Sequence, residues 1–470
     1  MKNFTLSLVA FHLRQTLTDA LDEADADANL LWETLAKLGE KQIPFPELAK
    51  IRTQLICYQN NQYTPQAEAG GQIFWLTHSG KDLDLGSIPT PEGFKITANL
   101  QPFRLHDTYA ADLTLAPDNP NIDITIPQIQ HFKPNYLLPS HIQASIGTTL
   151  WLYGEIDSTI DSQDWAEKCA IALVAGSNLN PILVNQESLF DSILFTFKTN
   201  NPICQILILL NNSQADTITP LGETYDSILN LLCCHHKISK IYQDSRQSYT
   251  QTRQLYSQLE KKIQGYPNLI ADTTEKLANL KKLLSQIPED GINYTRYLRD
   301  ITAHYTAIDT NTRNYRICLA NIKAKGNIPK FWETLNDITF HQWQNQIKID
   351  IDYLTPGENL FARTIETIRG TVEIEQVECD RATEANTQDR QEKLEILIAF
   401  IGTALAVSGV SSQVATNPSQ IIYTQLCQKE SPKNVKLLPY LGLSIIDLLI
   451  HIFLGIMIAI PVGIWLKHRK

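Results

Sequence analysis

The chain has 470 residues, 43% of them hydrophobic and 19% charged, and a formal net charge of −10. At roughly 150 residues per domain this length allows two to four structural units. The first 220 residues hold 24 acidic and 12 basic side chains. That balance disfavours phosphate backbones, so no nucleic acid is expected as a partner, while cation binding is compatible with it.

Phe4, Leu6 and Leu8 alternate with Thr5 and Ser7, which predicts an opening strand and not a signal peptide. The soluble part is therefore expected on the cytoplasmic side. Asp19–Glu40 reads as a helix. Its acidic start, Asp19, Asp22, Glu23, Asp25 and Asp27, has two readings: oxygen ligands for a divalent cation, or a solvated helix start favoured by the dipole. The dipole argument weighs toward the second. Strands are predicted at Ile73–Leu76, Phe94–Asn99, Thr108–Leu115, Ile122–Ile126 and within Gln143–Ile156, and a helix at Trp165–Val174. Cys204–Leu210 is a continuous apolar run, the pattern of a buried strand. Residues 1–220 thus predict an α/β domain.

The eight cysteines are scattered without a CxxC pair, which fits a reducing compartment. Cys233-Cys234-His235-His236 is the one cluster of soft ligands. Neighbouring helix positions diverge by about 100°, so these four cannot close on one tetrahedral metal within a single helix. From residue 221 a heptad seam runs from Ile228 and Leu231 through Tyr256 and Leu259 to Leu284 and Ile287. A second runs from Tyr294 through Leu298, Ile301, Ile308 and Tyr315 to Ile322. Pro267 predicts a break near Gly265, and Pro288–Gly291 a reversal. Residues 221–325 are then an antiparallel coiled-coil hairpin, and 326–393 are stalk helices.

Two apolar stretches follow, 394–414 and 437–466, joined by 415–436 and closed by the basic tail 467–470. Each is long enough for a bilayer of about 30 Å. The predicted fold class is an α/β cytoplasmic domain, antiparallel coiled-coil helices and two C-terminal transmembrane helices. The predicted location is the cell membrane, multi-pass, with both termini cytoplasmic. Glu395, Gly402, Ala406, Gly409 and Gln413 share one face of the first stretch, which suits a pore or close helix packing. Asp447 and His451 stand one turn apart in the second, as a functional pair or an interhelical contact.

This order of parts resembles the CorA family of magnesium transporters. The resemblance covers Glu223–Ile322 as the helical pair, Leu360–Val414 as the long helix, Leu437–Leu466 as the second span and Lys467–Lys470 as the tail. It implies a pentamer whose first span lines a pore. The family's Gly-Met-Asn motif is absent: Gly409-Val410-Ser411-Ser412-Gln413 stands in its place, so no residue transfers as a magnesium ligand.

Two functions follow as expectations. One is a homo-oligomer that conducts or senses cations, with a divalent cation as the only candidate cofactor. The other is a membrane-anchored regulatory module whose soluble domain binds a ligand or protein. No phosphate loop, G-x-S-x-G elbow or H-E-x-x-H helix occurs in the sequence, which favours a non-enzymatic reading.

Overall fold

The computed structural model describes residues 1–16, 23–65, 73–213, 215–271 and 276–383, together with Ile398. In chain order the elements begin with β1 (Lys2–Leu13), α1 (Leu30–Lys41), α2 (Pro46–Ala49) and α3 (Ile51–Gln54). A short hairpin and four strands follow: β2 (Tyr58–Gln59) and β3 (Gln62–Tyr63), then β4 (Ile73–Trp75), β5 (Leu83–Pro89), β6 (Lys95–Leu105) and β7 (Thr108–Pro117). Then come β8 (Gly147–Glu155), α4 (Ser162–Leu173), β9 (Ile182–Leu189), β10 (Ser192–Lys198), β11 (Cys204–Asn211) and α5 (Ile218–Glu223). The remainder is helical: α6 (Tyr225–Ala271), α7 (Lys276–Lys323), α8 (Lys330–Thr334), a π-helical turn (Leu335–Phe340) and α9 (His341–Thr383).

The described chain divides into two compact units. The first joins Met1–Arg246 to Thr302–Lys348, and the second joins Gln247–Ile301 to Ile349–Lys470. A nine-stranded sheet organises the first, in the order β4-β6-β7-β1-β8-β11-β10-β9, with β5 also paired to β6. Among the described residues only β8 and β11 run parallel. Both are shielded on their two faces, as parallel pairing requires, and β11 is accordingly a nearly unbroken apolar run.

Alternation in β1 sends Phe4, Leu6, Leu8 and Ala10 into one core. Against it lie Leu31, Trp32, Leu35 and Leu38 of α1, spaced three and four apart as one helix face. Each fully buried large side chain there contributes about 1.5–3 kcal/mol. α4 begins at Ser162, three residues before the predicted Trp165, because the Asp161 carboxylate accepts from the Gln163 and Asp164 amides, at 3.0 and 3.3 Å.

Several expectations are corrected. α1 starts at Leu30 and not near Asp19; Ala26–Asn29 form turns before it. Ile122–Ile126 is not a strand: Pro120 and Pro127 bracket it, and Ile124 is buried from a loop. α6 passes Pro267 unbroken to Ala271, and α7 runs from Lys276 past Pro288 and Gly291, so neither the predicted break near Gly265 nor the predicted reversal at Pro288–Gly291 is present; residues 272–275 lie outside the described residues. Leu280, Leu284, Ile287, Tyr294, Leu298 and Ile301 are buried in one register across the proline. That burial outweighs the roughly 3 kcal/mol a helix-interior proline costs.

The fold class is corrected at its C-terminal end. Among the described residues no helix is long and apolar enough to cross a membrane. The long helices each carry a charged face; Asp352, Arg363, Glu366 and Glu373 of α9 are exposed. The stretches 394–414 and 437–466 lie outside the described residues, apart from Ile398. The transmembrane and ion-transport readings, and the multi-pass cell-membrane location drawn from them, are therefore withdrawn.

Candidate functional site

The second face of the sheet is polar where the first is apolar. Register places Asp112 beside Val9 and Val9 beside Thr149, while Thr114 pairs with Ser7 and Phe11 with Gly147. These side chains share one face because all of β1's odd positions point to it. The first turns of α6 lie on this face, and the polar groups meet there.

At the start of α6, the Tyr225 hydroxyl donates to Asp112 Oδ2 at 2.8 Å. The Thr114 hydroxyl donates to Asp112 Oδ1 at 3.0 Å and shares a 2.6 Å bond with Ser7 Oγ. Burial pushes the Asp112 carboxyl up from its ordinary value, against the two hydroxyl donors, which favour the charged form. The Tyr225 hydroxyl is also pushed up, first by burial and then by the neighbouring carboxylate.

Three turns further, His236 Nε2 and Thr149 Oγ1 share a bond of 2.8 Å. The imidazole lies on Gly147, where a Cβ would come within 2.3 Å of Nδ1. Phe11 flanks it, ring to ring at 5.8 Å. Burial lowers His236 to about 3, with His235 adding a smaller effect. It lowers His235 to about 4, helped by the Lys198 cation. Both rings are therefore neutral at pH 7. Lys237 forms an ion pair with Asp107 at the rim of this face.

The four consecutive soft ligands diverge as a helix dictates. His236 meets the sheet, whereas His235 faces Phe340 at 6.2 Å. Cys233 and Cys234 are buried within electrostatic reach of Cys318. Burial pushes Cys233 and Cys318 up to about 11, and Cys234 well above the usual thiol range. These are thiols at neutral pH and poor nucleophiles. Tyr315, fully buried, stacks edge-on against Phe340 of the π turn at 5.1 Å. Tyr242 and Trp343 stack face to face at 4.5 Å. A π turn widens the helix by one residue, which fits the placing of Phe340 among these rings.

Of the acidic cluster, Asp19 and Asp22 lie outside the described residues. Asp25 Oδ1 accepts from the Asp27 amide at 3.1 Å, and the Asp27 carbonyl bonds His12 Nε2 at 2.8 Å. The Glu23 carbonyl accepts from Arg14. Among the described residues no group of three His, Cys, Asp or Glu is placed to hold a metal. Glu395, Gly402, Ala406, Gly409, Gln413, Asp447 and His451 lie outside the described residues.

Sequence reasoning missed Asp112, Tyr225 and Thr149. The signal was present in Tyr109-Ala-Ala-Asp112-Leu-Thr: an acid inside an apolar strand needs a partner or a raised pKa. No family model matches the chain, and no curated protein or solved structure does either. The architectural resemblance drawn from the order of parts therefore stands without a family to support it.

Proposed function

We propose that the chain is a regulatory module: its α/β domain receives a ligand or protein partner, and its helices carry the response. The polar seam beneath α6 carries this reading. A helix docked through hydroxyl, carboxyl and imidazole groups responds to whatever changes their charge or hydrogen bonding. α6 also supplies residues to both compact units, up to Arg246 in the first and from Gln247 in the second. A change at its docked end is inherited along one backbone.

Hydrogen exchange on the full chain tests the coupling. Tyr225→Phe removes one hydrogen bond to a buried carboxyl, worth about 1.5–3 kcal/mol if that carboxyl is charged. Exchange should accelerate in residues 226–240 and also change in 247–271. Acceleration confined to 226–240 would leave the units uncoupled and end this reading.

The same reading takes the chain as a homo-oligomer. Within the second unit α9 exposes Ile349, Tyr353, Ile374 and Val377, at 48, 76, 60 and 52%. They form two exposed pairs, Ile349 with Tyr353 and Ile374 with Val377, each within about one turn and each offering an apolar contact to a second copy. Light scattering should return a multiple of 53.1 kDa. A strictly monomeric mass contradicts the assembly.

A further inference from the structure

Each long helix of the second unit carries a proline and a glycine within about one turn: Gly265 and Pro267, Pro288 and Gly291, Pro356 and Gly357. A proline withholds one amide from the helical ladder and crowds the carbonyl four residues earlier, here Asp352 for Pro356 and Leu284 for Pro288. The prolines of α7 and α9 lie at one level within otherwise continuous helices. Phe361 packs on Tyr294 at 5.1 Å between ring centres, and a Cβ on Gly291 would sit 3.4 Å from Phe361 Cδ1. Tyr294 is fully buried, and its hydroxyl donates to the Leu354 carbonyl at 2.5 Å. Gly357 makes room for that hydroxyl: a Cβ there would come within 2.2 Å of the Tyr294 oxygen and 3.0 Å of Tyr256 Cδ2. Lys262 and Asp290 pair at 2.6 Å beside the same level. A phenol bonded to a backbone carbonyl two residues before a proline, over a glycine that admits nothing larger, fixes the angle of a helix whose own ladder is interrupted.

We propose that the second unit contains a hinge across Pro288–Gly291 and Pro356–Gly357, latched by the Tyr294 hydroxyl on Leu354. With the latch made, α9 keeps one angle through Pro356. With it released, the two interrupted ladders are the points about which α7 and α9 bend together. The device stands on the geometry of the second unit alone and does not depend on the coupling proposed above.

Hydrogen exchange on the full chain decides it. In the wild-type chain the amides of 357–361 should exchange at least about tenfold faster than those of 365–372 in the same helix. Tyr294→Phe keeps the ring and removes the latch, so it should speed exchange of 353–361 by a further tenfold or so while leaving 365–372 within about twofold. Pro288→Ala combined with Pro356→Ala restores both ladders and should abolish the fast exchange. Uniform exchange along wild-type α9 overturns the hinge. So does a Tyr294→Phe effect that is absent or spread evenly over the second unit. Should Tyr294→Phe fail to fold, the wild-type pattern and the double proline variant still decide between these outcomes.

Discussion

Lowering the pH from 6.5 toward 3 is expected to remove on the order of 4 kcal/mol from the stability of the first unit. The cause is the buried imidazole pair. The ordinary histidine value is 6.5, and burial brings His236 to about 3 and His235 to about 4. Below 6.5 the unfolded chain takes up protons that the folded chain refuses. Stability is therefore whole above pH 6.5 and drains as pH falls through the window down to the folded values. His236, 3% exposed, accounts for most of the effect; His235 is only half-buried and contributes less. Asp112 acts in the opposite direction. Its carboxyl is raised, so its contribution favours the folded state at low pH and is lost as pH rises past the folded value. His12, which burial also lowers, adds to the imidazole side. Denaturant titrations at pH 7, 6, 5 and 4 measure it, and His236→Gln should flatten the curve. A midpoint that does not move between pH 7 and 4.5 would show that the pair is not shielded as the structure places it.

Gly147→Ala is expected to cost about 3 kcal/mol, a large effect for one methyl group. The added carbon would lie 2.3 Å from His236 Nδ1 and 2.7 Å from Cγ. The ring has little freedom to retreat, since Thr149 holds Nε2 and Phe11 stands beside it. Removing the ring should remove the penalty. Gly147→Ala placed on His236→Ala is expected to cost almost nothing beyond His236→Ala itself, a strong non-additivity between touching residues. Thermal denaturation of the four chains gives the cycle. A single Gly147→Ala variant with the wild-type midpoint would contradict the close approach.

Much of the sheet was legible in the sequence because burial imposes a period. β1 alternates, and β11 is continuously apolar because parallel pairing hides both its faces. β9 and β10 were not read. β9 is an edge strand whose exposed positions include Gln186 and Ser188, so one-sided burial leaves too weak a pattern. The heptad seam was legible residue by residue, but the helix ends were misplaced. Proline is a local signal, and the continuous seam from Leu280 to Ile301 overrode it. The candidate site was half legible. His235 and His236 stood out as a pair, but their different surroundings depend on Phe340 and Thr149, which are distant in sequence. Asp112 met Tyr225 across more than a hundred residues, a distance no local pattern records.

The central place of β1 has a consequence for synthesis. It leaves the ribosome before the other strands, yet its partners run from Thr108 to Leu115 on one side and from Gly147 to Glu155 on the other. Neither neighbour exists until on the order of a hundred further residues have been made. During that interval Phe4, Leu6, Leu8, Val9 and Phe11 belong to a nascent segment of high strand propensity with no edge to join. β1 can acquire its second neighbour only after β8 has emerged.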